Sequence, residues 1–420
     1  MRRHAAMCLV SVLLAGSAWG AASTKTPPEP QVSFDRPPAE FTYQPFMKGR
    51  EPQTPGVLAS TSRRELDRKA SDQPLKILIP AKGGTTILAD SNRRSTMFVD
   101  VDGDKKYRGK QENLNLGREG YYGPTHAVIK WPDGTRMYYG FVIYPPPRDS
   151  SGGRYNIERY GAMTGKLEGE IVQIVDDDSN GMYDDYGTDV IIVGKKPPVY
   201  LGKMIMLKGE LYHLKVSPAG HRVYLAKYKG KTGKVDLLSG YKAASGFKLV
   251  SAAIKEGTRS FDALGDAKNP VVAVPEGKYE LATGAVRKFN IDVPIVTGNM
   301  KPVEIKAGVP AAVPKWGKPF KLDFKVESKI MGITLSEVGI YGAGGEKYLT
   351  PKDPPPFVVI SGGGRSIPPK QMTYGPDGQL AEFFFDPQRS GNYQVLVIQQ
   401  SKVFGRLSSD KKPVRFVKKF

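Results

Sequence analysis

Ala127-Val128-Ile129-Lys130-Trp131-Pro132-Asp133-Gly134-Thr135-Arg136-Met137-Tyr138-Tyr139-Gly140-Phe141-Val142-Ile143 decides the fold class. Two runs rich in β-branched and aromatic residues flank Pro-Asp-Gly, and Asp-Gly supplies the backbone freedom a tight hairpin needs. The stretch predicts strand, turn, strand. The same grammar continues outward. Lys76-Ile77-Leu78-Ile79-Pro80, Thr96-Met97-Phe98-Val99, Glu170-Ile171-Val172-Gln173-Ile174-Val175 and Asp189-Val190-Ile191-Ile192-Val193 read as strands. Lys203-Met204-Ile205-Met206-Leu207 and Leu211-Tyr212-His213-Leu214-Lys215-Val216 do too, joined through Lys208-Gly209-Glu210. Such regular turns belong to sandwiches and barrels rather than to alternating α/β units. The expectation is an all-β chain of two or three β-sandwich or barrel-like domains in tandem. One short helix is predicted over 62–70, where Ser62-Arg63-Arg64-Glu65 has capping-box spacing and Leu66 follows.

Met1-Arg2-Arg3-His4 precedes a mostly apolar run from Ala5 to Ala15, and small residues follow around Ala18-Trp19-Gly20-Ala21-Ala22. This is the pattern of a secretory signal peptide over 1–22. The run falls short of the roughly 20 apolar residues that cross a bilayer, and no later window approaches that length. An exported protein of the periplasm or the extracellular space, without a transmembrane span, is expected. Cys8 is the single cysteine and lies inside the segment to be removed. Thiol nucleophiles, cysteine-ligated zinc, iron–sulfur clusters and disulfides are thereby excluded from the mature chain. Residues 23–72 are rich in proline and predict an extended segment carrying the short helix.

The formal charge is +20, and removing 1–22 takes away Arg2 and Arg3 but no acid, leaving +18. Such a surface attracts polyanions. No helix-turn-helix, RNP-type strand or zinc finger is present, so no specific nucleic-acid partner is expected. A polysaccharide or an anionic cell-surface polymer is the partner class that remains. Pro197-Pro198 and Asp292-Val293-Pro294 suggest boundaries, giving a β domain over 73–198, a β-sandwich over 199–292 and a further sandwich over 293–420. Val271-Val272-Ala273-Val274-Pro275-Glu276-Gly277-Lys278-Tyr279-Glu280-Leu281 resembles a strand, turn and strand of carboxypeptidase regulatory-like domains over about ten residues. Gly317-Lys318-Pro319-Phe320-Lys321-Leu322-Asp323-Phe324 and Ser390-Gly391-Asn392-Tyr393-Gln394-Val395-Leu396-Val397 resemble an early and a late strand of an immunoglobulin-like sandwich. That resemblance implies a corner contact for Tyr393.

Six aspartates fall within 176–189, with no Lys or Arg among them, in an otherwise basic chain. Asp176, Asp178 and Asn180 stand at positions one, three and five of a loop, Gly181 at six, Met182 at seven and Asp184 at nine. Alternate side chains then converge on one side while the glycine allows a sharp turn. The segment resembles the calcium loops of EF-hand and dockerin proteins over about a dozen residues. The resemblance implies calcium held by Asp176, Asp178, Asn180 and Asp184, with the backbone carbonyl of Met182. Position twelve is Gly187 rather than an acid, so Asp185 or Asp189 has to complete the shell. The flanking strands also replace the helices of an EF-hand. The competing reading is an ion-paired turn neutralised by Arg154, Arg159 or Lys195. A second copy follows Phe98-Val99, with Asp100, Asp102 and Asp104 at one, three and five as metal ligands, Lys105 at the glycine position, and Tyr107 matching Tyr183; the competing reading is a loop neutralised without metal by Lys105, Lys106 and Arg108. The pair reads as an internal duplication of a strand, acidic loop and strand.

No Gly-x-Ser-x-Gly elbow, Walker loop, His-Glu-x-x-His helix or Rossmann fingerprint appears. His213 and His221 flank Ser217-Pro218-Ala219-Gly220 and are placed to meet across a hairpin, without a third ligand. Gly342-Ala343-Gly344-Gly345 and Gly362-Gly363-Gly364-Arg365 read as turns, since neither leads into a helix. The expected function is an exported, non-enzymatic binding or structural protein with calcium-stabilised acidic loops. Two alternatives stand beside it. One is a carbohydrate-active enzyme or accessory carbohydrate-binding module using Tyr121, Tyr122, Tyr138, Tyr139 or Trp131, and the other is a polyanion binder.

Overall fold

The computed structural model describes residues 32–47, 52, 54, 62–69, 75–79, 85–92, 96–107, 112–146, 153–265, 269–350, 353–362, 365–374, 380–387 and 389–418. The expected signal peptide lies outside them. The chain divides into two units, Met1–Ser33 and Phe34–Phe420, and the second carries the architecture described below. It is all-β, 58% strand and 1% helix, in several sheets whose pairings are almost all antiparallel. The hairpin of Tyr122–Lys130 and Arg136–Tyr144 forms with Lys130 opposite Arg136, and Gly134 takes φ 87° in its turn.

The helix expected over 62–70 is instead the strand Arg64–Lys69, paired to Arg154–Arg159 with Arg64 opposite Ile157. The capping side chains are engaged elsewhere. Ser62 Oγ donates to Glu158 Oε1 (3.2 Å) and Arg63 Nε to Glu158 Oε2 (3.1 Å). Among the described side chains of this window Leu66 alone belongs to the core, and its sequence offers no apolar stripe at helical spacing to bury.

Two apolar cores share one sheet. The first draws on residues from Phe41 to Leu225, the second on residues from Met204 to Phe416. Along Met204–Leu207, Ile205 and Leu207 face the first core, while Met204 and Met206 face the second. Period-two alternation thus feeds both sides of one strand. The boundary expected after 198 leaves Leu201, Ile205, Tyr212 and Leu214 of the first core on the wrong side. The one expected at 292 falls inside Ile291–Val296, which pairs with Gly277–Lys288 on one flank and Lys347–Tyr348 on the other. Pro197-Pro198 merely joins the paired strands Val190–Val193 and Val199–Tyr200 of one sheet. Pro197-Pro198 thus marks a connection within a sheet, and Pro294 lies inside a strand.

The earliest described strands complete sheets built from later residues. Ala39–Glu40 pairs with Arg222–Lys227, and Thr42–Pro45 with Gly161–Leu167. Phe41 and Tyr43 lie over glycines: a Cβ at Gly165 would come within 2.3 Å of the Phe41 ring, and one at Gly161 within 2.3 Å of Tyr43 Oη.

Candidate metal centre

Residues 176–189 connect Glu170–Val175 to Val190–Val193, and Val175 opposes Val190. That register places Asp176 and Asp189 side by side where the ladder opens into the loop. Carboxylate oxygens of Asp176, Asp178 and Asp189 all lie within 4.8 Å of one another. Asp176 and Asp189 are wholly buried and Asp178 is half-buried. The deciding hairpin holds the loop in place. Tyr139 Oη donates to Asp176 Oδ2 (2.7 Å), and Trp131 Nε1 donates to the Gly181 carbonyl (2.8 Å). Backbone amides of Asn180 and Gly181 donate to Asp176 (3.0 and 2.7 Å), and those of Asp177 and Asp185 donate to Asp189 (3.3 and 2.9 Å).

These bonds do not offset the burial of like charges. Burial, reinforced by the charge of Asp178, pushes the Asp176 carboxyl up to about 8. Burial and then the charge of Asp176 push Asp189 well above the usual carboxylate range. Burial, with Asp176 next, also raises the Tyr139 and Tyr183 hydroxyls.

Asn180 joins the cluster through its side chain. Its amide donates to Asp178 Oδ2 (3.0 Å) and to Asp185 Oδ2 (2.6 Å), and its Oδ1 accepts from Met182 N (2.7 Å). Asp184 is half-buried and is not among the three convergent carboxylates, whereas Asp185 is tied to them through Asn180. Arg159 does not neutralise the cluster, because its Nη2 pairs with Asp177 Oδ1 (3.1 Å), which also accepts from the Thr54 hydroxyl. Arg154 pairs at 3.8 Å with Glu65.

The second loop is wired alike. Asp100, Asp102 and Glu112 bring carboxylate oxygens within 4.8 Å, with Asp100 and Glu112 buried and Asp102 exposed. Position three accepts from the amide at five in both loops: Asp104 N to Asp102 Oδ1 (3.0 Å) and Asn180 N to Asp178 Oδ1 (3.3 Å). Position five accepts from the amide at seven in both, Lys106 N to Asp104 and Met182 N to Asn180, each at 2.7 Å. Asp104 is spent on that turn and is not one of the three convergent acids. Positions four and six have positive φ in both loops: Gly103 84° and Lys105 62°, Ser179 58° and Gly181 83°. Lys105 therefore adopts the backbone a glycine would prefer. Position one of each loop is joined by an acid twelve or thirteen residues along, Glu112 or Asp189. Sequence spacing missed Glu112, because the strand pairing of Met97 with Leu114 is what returns it to Asp100.

The other candidates disperse. His213 opposes Ala226, while His221 Nδ1 lies 3.1 Å from Ser217 Oγ, so the two do not form a site. Trp131, Tyr122 and Tyr139 are core, whereas Tyr138 is exposed. The loop of Gly342 to Gly345 wraps a carboxylate of its own. Buried Glu346 accepts from Gly317 N (2.7 Å), Gly344 N (3.1 Å) and Tyr348 Oη (3.0 Å). Among the described residues no helix is long and apolar enough to cross a membrane. No family model matches the chain, and no curated protein matches it.

Proposed function

We propose that this is an exported, non-enzymatic binding or structural protein whose first core is held together by calcium at the two acidic loops. The observation that carries the reading is the convergence of Asp176, Asp178 and Asp189, two of them wholly buried, with the Arg159 guanidinium engaged by Asp177. Three carboxylates drawn out of water repel one another unless a cation or protons join them. The donors are all hard oxygens, with no imidazole or thiolate, which suits calcium better than zinc or copper. The Asn180 amide bridges Asp178 and Asp185 much as a cation would, and turning that amide over offers Oδ1 as a further ligand. Asp176, Asp178 and Asp189 would hold the ion, with Asn180 and Asp185 closing the shell. Asp100, Asp102 and Glu112 would hold a second.

The enclosure of the acids also favours a structural ion over hydrolysis. Glycosidic carboxylates must meet substrate in a cleft, and Asp176 and Asp189 expose no surface. Thermal or chemical unfolding with calcium and with chelator tests the proposal. With a dissociation constant of roughly 10⁻⁴–10⁻³ M, as in extracellular modules, about 10 mM calcium stabilises the fold by roughly 1.4–2.7 kcal/mol per site. Superimposable curves, with and without the ion, would end the calcium reading.

A further inference from the structure

The last sheet of the chain buries one face and leaves the other open. In its long strand Gly391–Ser401, Tyr393, Val395 and Val397 belong to the second core, while the alternate residues point away from it. Directly opposed residues share a side of a sheet. Phe357 therefore stands beside Ile398, and Val359 beside Leu396, as a two-by-two apolar patch on the open side. None of these four belongs to the core; Phe357 is 44% exposed, and Val359, Leu396 and Ile398 are half-buried. Exposed amides of Asn392, Gln394 and Gln400 line the same strand. Arg406 pairs across from Gln400, and Arg415 across from Asn392, both exposed. Among the described residues no acid occupies a register position on this side. Within 391–418 six Lys or Arg accompany one acid, Asp410.

We infer that this open face binds an acidic, carboxylate-bearing polysaccharide. Arg406 and Arg415 lie beside positions eight residues apart on one strand, roughly 27 Å at strand rise. One small anion cannot bridge that span, but an extended polymer can, meeting a guanidinium at each end. Between them the amides suit sugar hydroxyls, and the aliphatic patch suits the C–H faces of sugar rings. A second copy of the chain is the wrong occupant, because face against face would bring only cations together. Single-stranded nucleic acid wants a row of stacking aromatics, and the face offers Phe357 alone.

The inference rests on the binding role proposed above but not on the calcium loops, which belong to the first core, so its test runs in chelator. Polygalacturonate is the probe, dextran the neutral comparison, and affinity gel electrophoresis or calorimetry the readout. Arg406→Ala with Arg415→Ala is expected to weaken binding at least about tenfold and to flatten its salt dependence. Gln394→Glu, which places an acid in the face without removing a cation, is expected to do likewise. Lys229→Ala with Lys231→Ala, the same charge change elsewhere, should leave affinity within about twofold. Unaltered binding in both face variants, equal binding of dextran, tighter binding of single-stranded DNA, or a dimer that Gln394→Glu dissolves would each overturn it.

Discussion

At the scale of single residues, Asp176 sets the conditions under which the first core is stable. Folding raises its pKa from about 4 to about 8, and raises that of Asp189 as well. The native state keeps those protons after the unfolded chain has released them. In chelator, stability is therefore expected to fall as pH rises from about 4 to about 8. Millimolar calcium should cancel the slope by taking the deprotonated form, and denaturant titrations across that range check both arms. Lys105 offers a second test. Its φ of 62° costs a side chain energy that glycine avoids, so Lys105→Gly is expected to stabilise the protein by roughly 0.5–1 kcal/mol in urea. Spacing alone made Asp176, Asp178, Asp100 and Asp102 legible. It did not separate Asp184 from Asp185, nor disclose Glu112, because these depend on which side the turn presents and on strand register.

Among the elements, strands and hairpins were readable because alternation and turn chemistry act locally. The misread was Arg64–Lys69, where a capping-box spacing met a segment whose backbone found its partners in Arg154–Arg159. A local signal with no apolar stripe yields to a sheet edge. The glycine loop was correctly a turn, but its purpose lay in Glu346, which no spacing announces. Glu346→Ala would strand two amides and the Tyr348 hydroxyl, and a loss of about 3 kcal/mol is expected in denaturant titrations. Gly165→Val tests how Thr42–Pro45 is held. Its Cβ meets the Phe41 ring, so overpacking should cost about 1–3 kcal/mol, and amide exchange should accelerate in that strand ahead of the rest.

For the whole molecule, composition and pattern announced β-structure but not how the cores are partitioned, since long-range pairing leaves little trace in a single sequence. The sheet of Met204–Leu207, Glu210–Val216 and Arg222–Lys227 serves both cores. A fragment beginning at residue 199 would expose Ile205, Leu207, Tyr212, Leu214 and Val216. It is expected to aggregate where the full chain stays in solution, as light scattering would show. The opening strands carry a different consequence. Ala39 must find Val223 and Tyr43 must find Met163, so a chain delivered from its amino end emerges with its first strands unmatched. Closing those long loops is slow. Through that interval the nascent polypeptide needs a holding chaperone, or a supply of its later strands that outruns misassembly of the first.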